Sequence, residues 1–202
     1  MFREKKISEF LNQLSSNSPT PGGGTVAALS GALAASLVSM VASLSVGRKK
    51  YEGYDALYEE TIGKMKLLSE QFQDMMDEDA EAFDGVMKAL KMPKKTDEEK
   101  QVRKEKIQEG FKNATNSPVK TAEAVVKVSQ YAKEMVKHGN KNAVSDAYCA
   151  IELCKAAFNM AMENVDINLN SIKAEDYTKK ITVRCEELRE ILNSNIKEQI
   201  ND

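Results

Sequence analysis

The chain has 202 residues, with 29 Lys and Arg against 31 Asp and Glu, a formal net charge of −2 and a single His. That length supports one domain with its own core, and the near-neutral balance leaves no electrostatic footprint for nucleic acid. Three cysteines without a CxxC pair fit a reducing cytosol, one His without a Cys cluster argues against a metal centre, and the charged residues 1–16 lack the apolar run of a secretory signal.

Breaks fall at 15–24, 47–53, 92–96, 116–118, 139–141 and 165–173. Between them the sequence has helical period and no strict strand alternation, so seven helices are expected near 4–15, 25–46, 54–91, 97–114, 118–138, 143–164 and 174–198. Thr96 with Glu99 three residues later has the pattern of a capping box, and Pro118 suits a first helical turn. Gly139 after Lys137 and His138 marks a helix stop with cations at the negative end of the dipole. The expectation is a single all-α domain over residues 1–202, a multi-helix bundle with one long central helix and one buried helix of small residues.

Residues 18–25 read SPTPGGGT and run into the second helix. Three glycines there leave backbone N–H groups uncovered at the helix's positive end, which suits an anion or carboxylate, although a plain loop in close backbone contact fits equally well. The spacing Gly22-x-Gly24-x-x-Ala27 formally matches a dinucleotide fingerprint, but no strand precedes it and no Gly-Lys-Ser/Thr follows, so both phosphate-loop readings fail.

Residues 26–46 carry no charge and are long enough to span a bilayer. Their 21 positions hold six Ala, five Ser and one Gly. Small residues let neighbours approach on every side, so the reading is a fully buried central helix of a bundle rather than a membrane span. Its hydroxyls can bond back to the preceding turn. Beyond it, Arg48, Lys49, Lys50 and Tyr51 form a short basic cluster, a solvated surface unless it holds the carboxylates of an anionic ligand.

The 54–91 segment singles out one residue. At about 100° per residue from Phe72, Met65, Leu68, Met75, Met76, Phe83, Val86, Met87 and Leu90 lie within roughly 60°, forming the core-facing stripe. Asp74, Asp77, Glu78, Glu81 and Asp84 fall on the opposite, solvated side. Asp79 does not: it sits at roughly −20°, inside the apolar stripe. An unpaired core carboxylate costs several kcal/mol or shifts its pKa, so its retention there implies a partner or a task. In the 143–164 segment Asp146 similarly falls at roughly −40° within the stripe Ala143, Ala147, Ala150, Leu153, Cys154, Ala157 and Ala161. A structural ion pair or helix cap accounts for Asp146 as readily as a functional role. Asn164 and Asn168, continued in the same register, project from that side.

Taken together, PTPGGGTVAALSGALAASLVSMV, GRKKY at 47–51, DEDAEAF at 77–83, ALKMPKKTDEE at 89–99, GNKNAVSDA at 139–147 and NVDINL at 164–169 resemble, in order, the cyclodeaminase/cyclohydrolase family of folate enzymes. That family is known as the carboxyl-terminal half of animal formiminotransferase-cyclodeaminase and as stand-alone bacterial proteins. Thr25 stands where Ser is common, Tyr148 and Cys149 follow the SDA element where smaller residues are frequent, and the transferase half is absent.

The resemblance implies an all-helical homodimer without bound cofactor, acting on a tetrahydrofolate derivative that can be polyglutamylated, with no nucleic-acid or membrane partner. It assigns catalysis to Asp79, the residue that periodicity had already isolated. In the cyclodeaminase reaction N10 of 5-formiminotetrahydrofolate attacks the formimino carbon and ammonia departs, leaving 5,10-methenyltetrahydrofolate; the formimino group would tie the enzyme to histidine breakdown. The cyclohydrolase alternative hydrates that methenyl carbon and breaks one of its two carbon–nitrogen bonds, giving 10-formyltetrahydrofolate. Both need a carboxylate that takes a proton and returns one. Under this resemblance Gly22, Gly23, Gly24 and Thr25 are candidates to receive a carboxylate or pterin carbonyl, Arg48 and Lys49 to meet the glutamate tail, and Asp146 and Asn140 to anchor pterin nitrogens or orient Asp79. A non-catalytic folate-binding module is disfavoured, since a scaffold would gain stability from a hydrophobe at position 79.

Overall fold

A computed structural model describes residues 1–197, and the final position of the expected last helix, residue 198, lies outside them. Among the described residues there are six α-helices and no strand: α1 (Ile7–Leu14), α2 (Gly23–Ser43), α3 (Asp55–Leu90), α4 (Asp97–His138), α5 (Val144–Leu169) and α6 (Glu175–Lys197). Short 3-10 turns at Phe2–Glu4, Lys49–Tyr51 and Lys141–Ala143 supplement them. The four longest helices apart from α6 run up and down as a bundle. In it α2 lies against α3 and α5, α4 lies against α3 and α5, and α6 covers α4.

Two elements differ from the sequence reading. The segments 97–114 and 118–138 are one 42-residue helix that passes through Pro118. Proline lacks the N–H that would bond the carbonyl four residues back, which usually breaks a helix. Here that carbonyl, on Ala114, accepts instead from Asn168 Nδ2 of α5 at 2.9 Å. The expected break at 165–173 likewise starts only after Leu169, because the buried Val165 keeps the chain packed and the turn waits for Asn170 and Ser171.

The other stops stand where their chemistry put them. Thr96 Oγ1 accepts from the Glu99 N–H at 3.2 Å while Glu99 Oε2 accepts from the Thr96 N–H at 3.2 Å, a reciprocal capping box. Helix α4 ends where Gly139 turns to extended backbone, and glycine is required there because a Cβ would meet the Met135 carbonyl at 2.5 Å and Val41 Cγ1 at 2.8 Å.

Helix α2 is central but not fully buried. Ala27, Ala28, Ala34, Ala35, Val38, Val41 and Ala42 are sealed inside. Its opposite side carries Leu29, Leu33, Leu37, Met40 and Leu44, all within about 40° of Leu33 on a helical wheel, and Leu33 is 50% exposed. The helix is long and apolar enough to cross a membrane, with 56% of its most apolar window buried in the protein. Its small residues serve close packing. A Cβ on Gly31 would stand 2.5 Å from the Phe72 ring, so only glycine admits that ring.

Seven residues before Gly31 is Gly24, and seven residues after Phe72 is Asp79. The antiparallel α2–α3 pair thus repeats one notch twice, the first filled by an aromatic ring and the second by a carboxylate.

A carboxylate at a helix start inside an apolar cavity

Asp79 projects from the middle of α3 onto the first turn of α2. A Cβ on Gly24 would lie 2.1 Å from Asp79 Oδ1 and 2.7 Å from its Cγ, so glycine at 24 is the condition for this approach. Gly22, the residue flanking the start of α2, gives no side-chain cap. The acceptor comes from α3: Asp79 Oδ2 accepts from Thr25 Oγ1 at 2.8 Å, and the nearby Thr25 backbone N–H also favours the ionised carboxylate. The anion expected at the glycine-rich helix start is therefore one of the chain's own carboxylates.

The helix dipole and the Thr25 bonds favour the ionised form. Burial opposes them and prevails, raising the Asp79 pKa above its ordinary value. A carboxylate placed this way is both hydrogen-bonded and poised to hold a proton, which is what proton transfer near neutrality requires.

The carboxylate opens on a cavity of about 440 Å³. Gly22, Gly23, Gly24 and Thr20 form its α2 rim, and Gln13 Nε2 of α1 fixes that rim by donating to the Thr20 carbonyl at 2.9 Å. The apolar walls are Phe83, Val86, Met87 and Leu90 from α3 with Phe111 from α4 and Ile167 from α5. Asn164, beside Gly23, and Asn168 and Ser171 complete the lining. Among the described residues, Asp79 is the only titratable side chain in the lining.

This accounts for a departure from the expected core stripe. Met65, Leu68, Phe72 and Met76 are buried as expected, but Phe83 is 36% and Leu90 39% exposed. Beyond Asp79 the stripe faces the cavity, so the same helical face is core in one half of α3 and cavity wall in the other.

Of the remaining candidates, Gly22, Gly23, Gly24 and Thr25 reach the cavity rim or Asp79 itself, and the others do not. Asp146 is in the first turn of α5, 18 residues before Asn164, which is roughly 27 Å along the axis. Half-buried at the opposite end of the bundle, it neither orients Asp79 nor shares its cavity within one chain. Arg48 and Lys49 follow the far end of α2, whose 21 residues span about 30 Å, and both are exposed.

Asn140 also belongs to that end, where it is a structural knot. Its N–H donates to Ser45 Oγ at 2.8 Å and its Nδ2 to the Leu44 carbonyl at 2.9 Å. Its Oδ1 accepts from Tyr51 Oη at 3.1 Å and from the Asn142 N–H at 3.0 Å. The motifs around GRKKY and GNKNA therefore meet each other rather than Asp79. Periodicity lacks the information to separate the two ends, because it reports which face a residue takes and not which partner covers it.

Asp77 corrects the reading in the other direction. Assigned to the solvated face, it accepts from the Phe2 N–H at 2.6 Å through Oδ1, and its Oδ2 is buried without a partner among the described residues. The amino-terminal turn folds over it, and nothing in the helical register of residues 54–91 announces that cover.

A family model described as formiminotransferase-cyclodeaminase matches residues 6–187. The chain is 38% identical over 192 residues to a methenyltetrahydrofolate cyclohydrolase of Methylorubrum extorquens, which covers 95% of this chain and 91% of that protein. It is 32% identical over 184 residues to formimidoyltransferase-cyclodeaminase of Sus scrofa, matching 91% of this chain and only 34% of the longer protein. The crystal structure of formiminotetrahydrofolate cyclodeaminase from Thermotoga maritima superposes with a TM-score of 0.88 at 29% identity, covering 96% of this chain and 93% of that one.

Proposed function

The chain belongs to the formiminotransferase-cyclodeaminase family of folate one-carbon enzymes, and from that premise we propose that it converts 5-formiminotetrahydrofolate to 5,10-methenyltetrahydrofolate and ammonia with Asp79 as acid and base. The observation that carries the mechanism is the isolation of Asp79. It is the one titratable group lining an apolar cavity, with a raised pKa.

N10 of the substrate forms a bond to the carbon of the protonated formimino group, the C=N π pair passes to that group's nitrogen to leave an amine, and the Asp79 carboxylate takes the proton that N10 loses. The protonated Asp79 then gives that proton to the former imino nitrogen, the carbon–nitrogen bond breaks, and ammonia leaves. The product carbon is an amidinium cation, which a regenerated carboxylate stabilises in a low-dielectric site. Thr25 holds the carboxylate by its 2.8 Å bond, and Gly24 gives it room. The walls from Phe83 to Leu90, with Phe111 and Ile167, have the apolar character that a fused ring and an aminobenzoyl group require.

Hydrolysis of 5,10-methenyltetrahydrofolate to 10-formyltetrahydrofolate is the second reading, favoured by 38% identity over nearly the full length of a cyclohydrolase. It uses the same carboxylate to activate water and then to protonate the departing N5, while the hydroxyl proton of the hydrated carbon passes to solvent and the formyl group stays on N10. Mixing the purified chain with each substrate while following the methenyl chromophore decides between them. Its appearance from the formimino compound identifies the deaminase and its accelerated loss identifies the hydrolase. Replacing Asp79 by Asn must abolish whichever activity is found.

The chain is further read as a cytoplasmic homodimer. The exposed leucine stripe of α2 runs from the Asp79 end of the bundle to the Arg48–Lys49 end. A two-fold axis across that stripe pairs the helices antiparallel, which brings Arg48 and Lys49 of each copy toward the other's cavity mouth, where an anionic glutamate tail would emerge.

A further inference from the structure

We propose that Asn164 and Asn168 are substrate-positioning residues that read the polar edge of the bound ring, and that Pro118 is present in α4 to hold Asn168 in place. This rests on the folate reading of the cavity and adds to it the identity of the groups that orient the ring. The two asparagines lie four residues apart on α5, so their side chains leave the same face about 5–6 Å apart. Both line the cavity that Asp79 opens on, Asn164 beside Gly23 of the α2 rim and Asn168 beside α4.

Each amide is oriented by one hydrogen bond to a backbone carbonyl. Asn164 Nδ2 donates to Met160 O at 2.8 Å, and Asn168 Nδ2 donates to Ala114 O at 2.9 Å. Those bonds fix which end of each amide is oxygen and which is nitrogen, an assignment that an unanchored asparagine lacks. What remains on each is an Oδ1 acceptor and a second N–H. Neither Oδ1 has a partner among the described residues and neither is sealed from solvent, so both are free to accept a bond from a ligand in the cavity that their residues line.

The anchors are built in by unusual means. The Ala114 carbonyl is free only because Pro118 supplies no N–H to it, so a residue that weakens α4 also creates the acceptor that aims Asn168. Gly23 leaves room for the other amide. A Cβ there would lie 3.1 Å from Asn164 Nδ2, tight enough to displace it.

Two amides, each offering one acceptor and one donor, match a ring edge that alternates N–H donors with a carbonyl and ring-nitrogen acceptors, as the pyrimidinone side of a pterin does. The cavity meets that edge with neutral groups. It therefore holds the ring without adding a charge that would compete with Asp79 for the proton.

Three variants of the full chain test this: Asn164→Ala, Asn168→Ala and Pro118→Ala. The probes are 5-formyltetrahydrofolate, which carries the ring, and p-aminobenzoylglutamate, which does not, with binding followed by calorimetry. Both asparagine variants should weaken the ring-bearing ligand about tenfold or more and leave the fragment unchanged; in turnover the loss should appear mainly in KM. Pro118→Ala returns an N–H to Ala114 O and should keep or raise the melting temperature while still weakening the ring-bearing ligand several-fold. A merely structural asparagine would move stability and leave the contrast between the two ligands intact.

Unchanged ring binding in folded asparagine variants overturns the proposal. Should those variants not fold, Pro118→Ala decides alone, and unchanged ring binding there overturns it too. Wild-type protein that binds neither probe overturns the folate reading, and this inference with it.

Discussion

At the scale of single residues, Asp79 sits where two opposing contributions meet. Thr25 and the start of α2 stabilise its charge, while burial disfavours it, and burial prevails. The sign for stability follows. An unfolded chain ionises Asp79 at its ordinary value, the folded chain only at a higher one, so folding stability is lost as pH rises through that interval. Asp79→Asn removes the loss. Its melting temperature relative to wild type should rise as pH climbs above the ordinary carboxylate value, while turnover falls by about 10²–10⁴-fold with the circular dichroism spectrum unchanged. Urea or thermal unfolding across that pH series measures the first part and a chromophore assay the second. Thr25→Val deletes a bond that lowers the Asp79 pKa, so the acid limb of the kcat/KM profile should move to higher pH; an unmoved limb would dissociate the titration from Asp79. Gly24→Ala should cost about 1–3 kcal/mol of stability and most activity, because its Cβ falls on the carboxylate. Of these features the position of Asp79 was legible from helical angle alone. Its contact with Thr25 was not, since 54 residues separate them.

At the scale of elements, α2 and α3 lock by the two glycine notches seven residues apart. Gly31→Ala should destabilise the bundle by about 1–3 kcal/mol in chemical denaturation, with little effect on the ligand constants of the folded fraction, because Phe72 lies two turns from the cavity. The contrast with Gly24→Ala separates packing from chemistry at equal steric insult. Helix α4 shows the limit of reading punctuation. Thr96 and Glu99 cap it as their spacing implied, since both partners lie within one turn. Pro118 did not end it, since the compensating donor, Asn168, comes from another helix 50 residues away in sequence. A local rule holds when its remedy is local as well.

At the scale of the whole molecule, the bundle sorts its distinctive motifs into two ends. Residues 22–25, 79–90 and 164–171 gather around the cavity, and residues 44–51 with 139–142 tie the opposite end through Asn140. Asn140→Ala keeps the backbone bond to Ser45 but leaves the Leu44 carbonyl short of a donor and the Tyr51 hydroxyl and Asn142 N–H short of an acceptor. It should therefore cost about 1–3 kcal/mol of stability and leave the ligand contacts of an isolated chain unaltered, as denaturation and binding read side by side would reveal. The exposed stripe of α2 makes the oligomeric prediction. Leu33→Glu should convert a dimer to a monomer in light scattering, and loss of affinity for polyglutamylated over monoglutamylated ligand should accompany it if Arg48 and Lys49 serve the neighbouring copy.

The sequence by itself determined the helical class, the caps whose partners lie within a turn, and the one acid that occupies an apolar face, because each depends on spacing along a helix. Family membership was legible too, through motifs in a fixed order. Only the tertiary structure decided what covers each face: that the second half of the α3 stripe lines a cavity, that Asp79 caps a different helix, that Pro118 is accommodated by Asn168, and that Asp146, Arg48, Lys49 and Asn140 stand at the far end. Helical periodicity fixes an angle about an axis, whereas a site requires the distance between axes and the height along them, and those are set by which helices pack together.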